Sequence, residues 1–236
     1  MAVQDAALEP PLLRFSAAKR IAAEALGTAL LVAVVVGSGT MAEHLSLGNA
    51  GLALLANAIA TGAALIVLIV ILGPISGAHF NPVVSAAFAL RGELAWPTFG
   101  AFTIAQVIGA CCGSILANGM FGLPLFQVST HVRAGLPQGV SEAVATFGLI
   151  LAILGSLRFR PAFTPVCVGL YITAAYWFTA STSFANPAVT LARTLTDTFA
   201  GIAPASAPLF IIAQIIGMGA ALGTATWLLK EETPAA

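Results

Sequence analysis

The sequence predicts an all-α membrane protein: six transmembrane helices plus two re-entrant half-helices, arranged as an inverted internal repeat. Three observations carry that prediction. Only 8% of the 236 residues are charged while 59% are hydrophobic, and the mean hydropathy is +0.99. Soluble domains carry about 25% charged residues, so this chain lacks the polar surface a soluble fold needs. Apolar stretches long enough to cross a bilayer as helix recur along the chain. Finally, Asn-Pro-Val at Asn81, Pro82 and Val83 returns as Asn-Pro-Ala at Asn186, Pro187 and Ala188.

Residues 1–20 are polar and proline-bearing, with the basic residues late, unlike a cleaved signal peptide. They read as a cytoplasmic tail. Spans are expected at roughly 21–42, 51–73, 98–119, 140–157, 164–181 and 208–229. Two shorter helices begin at Asn81 and Asn186. Asparagine is a natural N-cap, and proline suits the first turn, where its missing N–H is no loss. Both helices are too short to span, and each lies between two spans, so each reads as a re-entrant half-helix. With the N-terminus inside, Arg14, Lys19, Arg20, Arg91, Arg158, Arg160 and Lys230 fall on the cytoplasmic side and only Arg133 and Arg193 outside, which places all nine basic residues. Trp96, Trp177 and Trp227 lie near span ends, as interfacial indoles do.

The chain reads as a single transmembrane domain, residues 1–236, whose halves at roughly 20–120 and 138–230 repeat each other. Glu24 and Thr28 in AEALGTALL match Glu142 and Thr146 in SEAVATFGL. The two Asn-Pro pairs match, and AQVIGA at Gln106 matches AQIIGM at Gln214. Three spans per half is an odd number, so the second half inserts upside down. Such repeats place a substrate path at their interface near the midplane. The half-helices then meet at their N-termini, whose positive dipole ends oppose cations.

An intramembrane carboxylate needs partners. Glu24 and Glu142 read either as a coupling site for protons or cations or, preferably, as acceptors that satisfy loop backbone at membrane depth. His79 in SGAHFNP reads as a loop-ordering hydrogen-bonding residue rather than a pH gate. Gln106 and Gln214 are expected to bridge helices. Gly27, Gly109, Gly113, Gly217 and Gly219 are expected to permit close helix approach. Cys111, Cys112 and Cys167 have no metal-ligand spacing and suggest no disulfide framework. No phosphate loop, nucleophile–base pair or metal cluster is present, so neither enzyme chemistry, cofactor nor metal is expected, and zero net charge gives no reason to expect nucleic acid.

With AEALGT, SGAHFNPVVS, the Glu142–Thr146 pair, FANPAVT and both AQ(V/I)IG repeats in register, the chain resembles the major intrinsic protein family, the aquaporins and aquaglyceroporins. The resemblance implies the aquaporin fold, one pore per subunit, a homotetramer in membrane lipid, and Asn81 and Asn186 donating amides to the solute at the pore centre. It places Pro82, Val83, Pro187 and Ala188 at the stacked tips, with Val83 where alanine is usual. The family's outer constriction, carried over by spacing, falls on Thr61, Ala174, Ser183 and Val189, the last in place of the usual arginine. A small, uncharged filter of that kind would be wide and weakly polar. The expected function is therefore passive passage of small neutral solutes, most of all arsenite as undissociated arsenous acid, or glycerol-like polyols, as in bacterial metalloid channels of the inner (cell) membrane. A water-selective channel and a coupled secondary transporter are the alternatives. Arg193, four residues beyond Val189 on the same face, either reaches the outer vestibule and restores charge or, the preferred reading, is a surface cation near Asp197.

Overall fold

The computed structural model describes residues 15–231 and is helical throughout its ordered elements. The tail expected up to residue 14, Arg14 included, lies outside the described residues. Eight α-helices follow in order: α1 Ala17–Leu45, α2 Ala50–Ser76, α3 Pro82–Leu90, α4 Trp96–Met120, α5 Leu136–Phe159, α6 Thr164–Phe178, α7 Pro187–Ala192 and α8 Ala207–Leu228. Among the described residues, six helical segments are long and apolar enough to cross a membrane. The half-helices are not: nine residues make α3 about 14 Å long and six make α7 about 9 Å, against a hydrocarbon core of ~30 Å.

Helix ends follow from local chemistry. Ser16 Oγ accepts from Lys19 N–H, and Asn49 Oδ1 accepts from Leu52 N–H, capping α1 and α2. These caps start α1 four residues earlier than the apolar run suggests, because polar residues outside the hydrocarbon continue the helix. α2 ends on Gly77 at φ 99°, a left-handed cap open to glycine. α6 ends at Phe178, three residues short of the expected span, because Thr179 turns extended and leads into the loop before α7.

Each half makes the same pairings. α1 packs on α2 and α4, as α5 packs on α6 and α8, while α2 meets α6 across the halves. The half-helices bridge the two: α3 and α7 each pack on both α4 and α8. Bilayer lipid supplies no hydrophobic drive between helices, so small residues that let backbones close up hold such pairs together. A Cβ on Gly109 would stand 2.2 Å from the Ala25 carbonyl oxygen, and one on Gly217 the same 2.2 Å from that of Ala143. Gly113 is equally tight against Ala29, and Gly27 makes room for the Phe80 ring. Gly219 differs from expectation: it is exposed and nothing lies within 4 Å of its Cβ position, since two residues beyond Gly217 lies the far side of α8. Leu26, Ile104, Ile108, Ile212 and Ile216 stand outside, each more than half exposed, as a lipid-facing surface requires. Trp96, Trp177 and Trp227 are exposed near helix ends.

Candidate functional site

The site is built by two irregular loops, 77–81 and 182–186, that bring the half-helices together. Such backbone inside a membrane must have its polar groups satisfied by protein or face water. Two buried carboxylates do the first. Glu24 Oε1 accepts from Ser76 Oγ at 2.6 Å and His79 N–H at 3.0 Å. Its Oε2 accepts from Phe80 N–H at 2.7 Å and Gln106 Nε2 at 2.8 Å. In the second half, Glu142 accepts from Phe184 N–H and Ala185 N–H, both at 2.8 Å, and from Gln214 Nε2 at 2.6 Å. The glutamines continue each network, Gln106 to Ser85 Oγ and Gln214 to Thr190 Oγ1, both at 3.0 Å. Neither carboxylate lines the cavity described below.

The loops hold left-handed backbone at side-chain-bearing residues: Ala78 and Phe80 at φ 49°, Ser183 at 52° and Ala185 at 48°. Such residues cost of order 1 kcal/mol each and persist only where surroundings over-determine them. Here the carboxylates fix the amides on one side. The carbonyls of Gly77, Ala78 and His79 accept no hydrogen bond from the described residues, and all three residues line the cavity.

Asn81 and Asn186 cap their half-helices. Asn81 Oδ1 accepts from Val83 N–H at 3.0 Å, and Asn186 Oδ1 from Ala188 N–H at 3.0 Å. Each then uses one amide hydrogen on the opposite loop: Asn81 Nδ2 donates to Ala185 O at 2.7 Å and Asn186 Nδ2 to Phe80 O at 2.8 Å. The two N-termini therefore abut, and both asparagines line the cavity. Pro82 and Pro187 open α3 and α7. Val83 and Ala188 are buried in one apolar cluster behind them, off the cavity wall.

The cavity encloses about 870 Å³ of non-protein space, open solvent at its mouths included. Four helices present one stripe each at a four-residue spacing: Leu31 and Val35; Thr61, Leu65 and Ile69; Leu149, Ile153 and Leu157; Thr164, Val168, Ile172 and Tyr176. That spacing keeps side chains on one face. The walls are thus apolar on the helix side and polar on the loop side. His79 lines the wall between, its Nδ1 3.0 Å from Ser85 Oγ and its ring stacked on Phe88.

Thr61, Ser183 and Val189 line one end of the cavity; Ala174 does not. Ala174 is exposed on the outer face of α6. Two positions beyond Ile172 is about 200° around a helix, so counting back from Asn186 across the non-helical 179–185 segment lands on the wrong side. Tyr176 takes the place instead, buried, with its hydroxyl 3.2 Å from Thr61 Oγ1. The expectation for Arg193 is also corrected. It is not a surface cation beside Asp197: it is 2% exposed, lines the cavity, and lies with its guanidinium carbon 3.4 Å from the Phe184 ring centroid. Its Nε donates to the Ala200 carbonyl. Asp197 is occupied elsewhere, accepting from Thr130 N–H at 2.7 Å and Thr130 Oγ1 at 3.0 Å. This end is therefore neither uniformly small nor uncharged. The four-residue repeat ending at Tyr176 was a readable signal for that tyrosine.

Comparison with known proteins agrees with this architecture. The family model described as Major intrinsic protein matches residues 12–180. The chain is 57% identical over 220 residues to the aquaglyceroporin AqpS of Rhizobium meliloti (strain 1021), covering 93% of this chain and 94% of that one. It is 32% identical to the probable aquaporin AqpM of Archaeoglobus fulgidus, covering 91% and 98%. Among solved structures, the X-ray structure of the aquaglyceroporin from Plasmodium falciparum superposes with a TM-score of 0.74 at 20% identity, covering 91% of this chain and 97% of that one.

Proposed function

The chain belongs to the major intrinsic protein family, and from that premise we propose that it is a passive transmembrane channel for small uncharged solutes, glycerol-like polyols and undissociated arsenous acid foremost. The observation that carries the reading is the cavity itself: apolar stripes from four helices line it together with two loops whose 77–79 carbonyls accept no hydrogen bond from the described residues, and with both asparagines. A solute bearing both hydroxyls and a hydrocarbon or metalloid core finds partners on both walls. An ion loses its hydration shell there and gains only scattered dipoles, and the abutting helix N-termini repel cations. Glu24 and Glu142 have their oxygens committed to loop amides and lie off the cavity, which speaks against the coupled-transporter alternative.

In this reading Asn81 and Asn186 offer their remaining amide hydrogens to the solute. Thr61, Tyr176, Ser183 and Val189 set the size of what passes. Both termini face the cytoplasm, as the basic residues direct, in the inner membrane of a bacterial cell, and four protomers assemble with one pore each.

The test is a solute panel on the purified chain in proteoliposomes. Glycerol and arsenite uptake well above protein-free vesicles, without dependence on a proton gradient, is the expected result. Water flux alone would move the chain to the water-selective alternative, and gradient-dependent uptake would move it to the transporter.

A further inference from the structure

We propose that Arg193 supplies the fixed cation of the stretch lined by Thr61, Tyr176, Ser183 and Phe184, in place of a charge at Val189, and so sets which solutes that stretch admits. The inference rests on the channel reading and concerns the selectivity of the same cavity.

Val189 and Arg193 are four residues apart at the end of α7 and both line the cavity, one helical turn or about 6 Å apart along the axis. Side chains on a helix lean toward its N-terminus, so a long side chain at 193 reaches back toward the level of 189. The contacts agree: the guanidinium carbon lies 3.4 Å from the ring centroid of Phe184, the neighbour of Ser183, and Nε is held by the carbonyl of Ala200. Two fixed points on a planar group leave its terminal nitrogens a set direction.

Among the described residues no carboxylate forms an ion pair with Arg193. The ion pairs among the described residues are Arg91–Glu93, His131–Asp197 and Arg158–Glu231, and Glu142 is bound to Phe184 and Ala185 N–H and to Gln214. A buried, unpaired guanidinium is tolerated where it meets water or polar partners. Arg193 meets the cavity on one side and a carbonyl on the other. Arg133 is the remaining cation nearby, but it lies off the cavity wall and is held there by hydrogen bonds to Gly201 O and Phe199 O. Arg193 is therefore the charge a solute meets, and its terminal N–H groups are donors for a hydroxyl oxygen.

The experiment uses the full chain in proteoliposomes and reads uptake of glycerol and of methylammonium, a cation of similar girth. The wild type is expected to carry glycerol and exclude methylammonium. Arg193→Gln keeps a donor for Ala200 and removes the charge; the ratio of methylammonium to glycerol uptake should rise by about tenfold or more, since a unit charge a few Å away in a partly dry lumen is weakly screened. Moving the charge back, with Arg193→Gln combined with Val189→Arg, should restore exclusion. Exclusion unchanged in Arg193→Gln, with glycerol uptake intact, overturns the proposal. Should that variant fail to reach the membrane folded, Arg193→Lys decides: charge kept and planar stacking lost predicts retained exclusion with glycerol uptake altered at least about twofold, the ammonium being unable to reproduce the planar fork. Unaltered glycerol uptake in Arg193→Lys overturns the role. A wild type that carries no glycerol, arsenite or water removes the channel reading itself, a different outcome from either.

Discussion

The two half-helices begin alike and end differently. At their N-termini, α3 and α7 show the same cap, the same proline and the same reciprocal amide-to-carbonyl bond across the halves. At their C-termini the likeness stops. α3 runs nine residues to Arg91, which is exposed and paired with Glu93 at 2.6 Å. α7 stops after six, tightens into a 3-10 turn and buries Arg193 against the cavity. Duplication thus governs the middle, where both copies must satisfy one shared constraint, and divergence is free at the two mouths, where each copy meets its own surroundings.

The largest effect should come from breaking the shared middle. Glu24→Ala leaves His79 and Phe80 N–H without acceptors, and Glu142→Ala does the same to Phe184 and Ala185. An unsatisfied buried donor costs about 1–3 kcal/mol, so either change should remove on the order of 2–6 kcal/mol. Thermal unfolding in detergent should show two comparable losses. A large loss for one and none for the other would break the equivalence of the halves.

Next in size are the two glycine contacts. Gly109→Ala and Gly217→Ala each drive a Cβ to 2.2 Å from a neighbouring helix carbonyl. Overpacking of this sort typically costs about 1–3 kcal/mol, and it should do so equally in both. Gly219→Ala is the internal control: with open space at its Cβ position it should gain about 0.5–1 kcal/mol from helix propensity alone. A matching loss at Gly219 would mean that face is packed against another subunit.

How far these features were legible in the sequence tracks the same division. The six spans, the half-helices and the pairing of Glu24 with Glu142 followed from composition, length and repetition, because bilayer thickness and backbone satisfaction leave few alternatives. Helix ends shifted by a few residues, where caps such as Ser16 and Asn49 extend a helix past its apolar run. The constriction was legible only in part. Of the four positions counted by spacing, Thr61, Ser183 and Val189 line the cavity. Ala174 does not, because seven non-helical residues, Thr182, Ser183 and Ala185 among them left-handed, intervene between α6 and Asn186, and a count across them carries no helical phase. Arg193 was misjudged because nothing local says that the 196–202 loop folds back to offer it the Ala200 carbonyl.

That returning loop supplies the smallest effect, and it sits at one mouth only. Segment 121–135 is tied to it by Ala203 N–H to His131 O at 2.7 Å and by Asp197 accepting from Thr130. The Thr130 backbone N–H, then its hydroxyl, holds the Asp197 carboxyl below the usual carboxylate range. A group titrating lower in the folded protein than in the unfolded chain stabilises fully above the unfolded value, about 3.9 for aspartate, and that contribution is lost as pH falls through the lower folded value. The tie should therefore be constant from pH 8 down to about 5 and fade only below about 4. Since the carboxyl is exposed, Asp197→Asn should leave glycerol uptake at pH 7 within about twofold while flattening whatever decline the wild type shows at acid pH, because a surface interaction of this kind is weak. A decline of the same shape in Asp197→Asn would assign it elsewhere on the cavity wall, with His79 the group to replace next, and would move acid sensitivity from the divergent rim of the second half to the loop of the first.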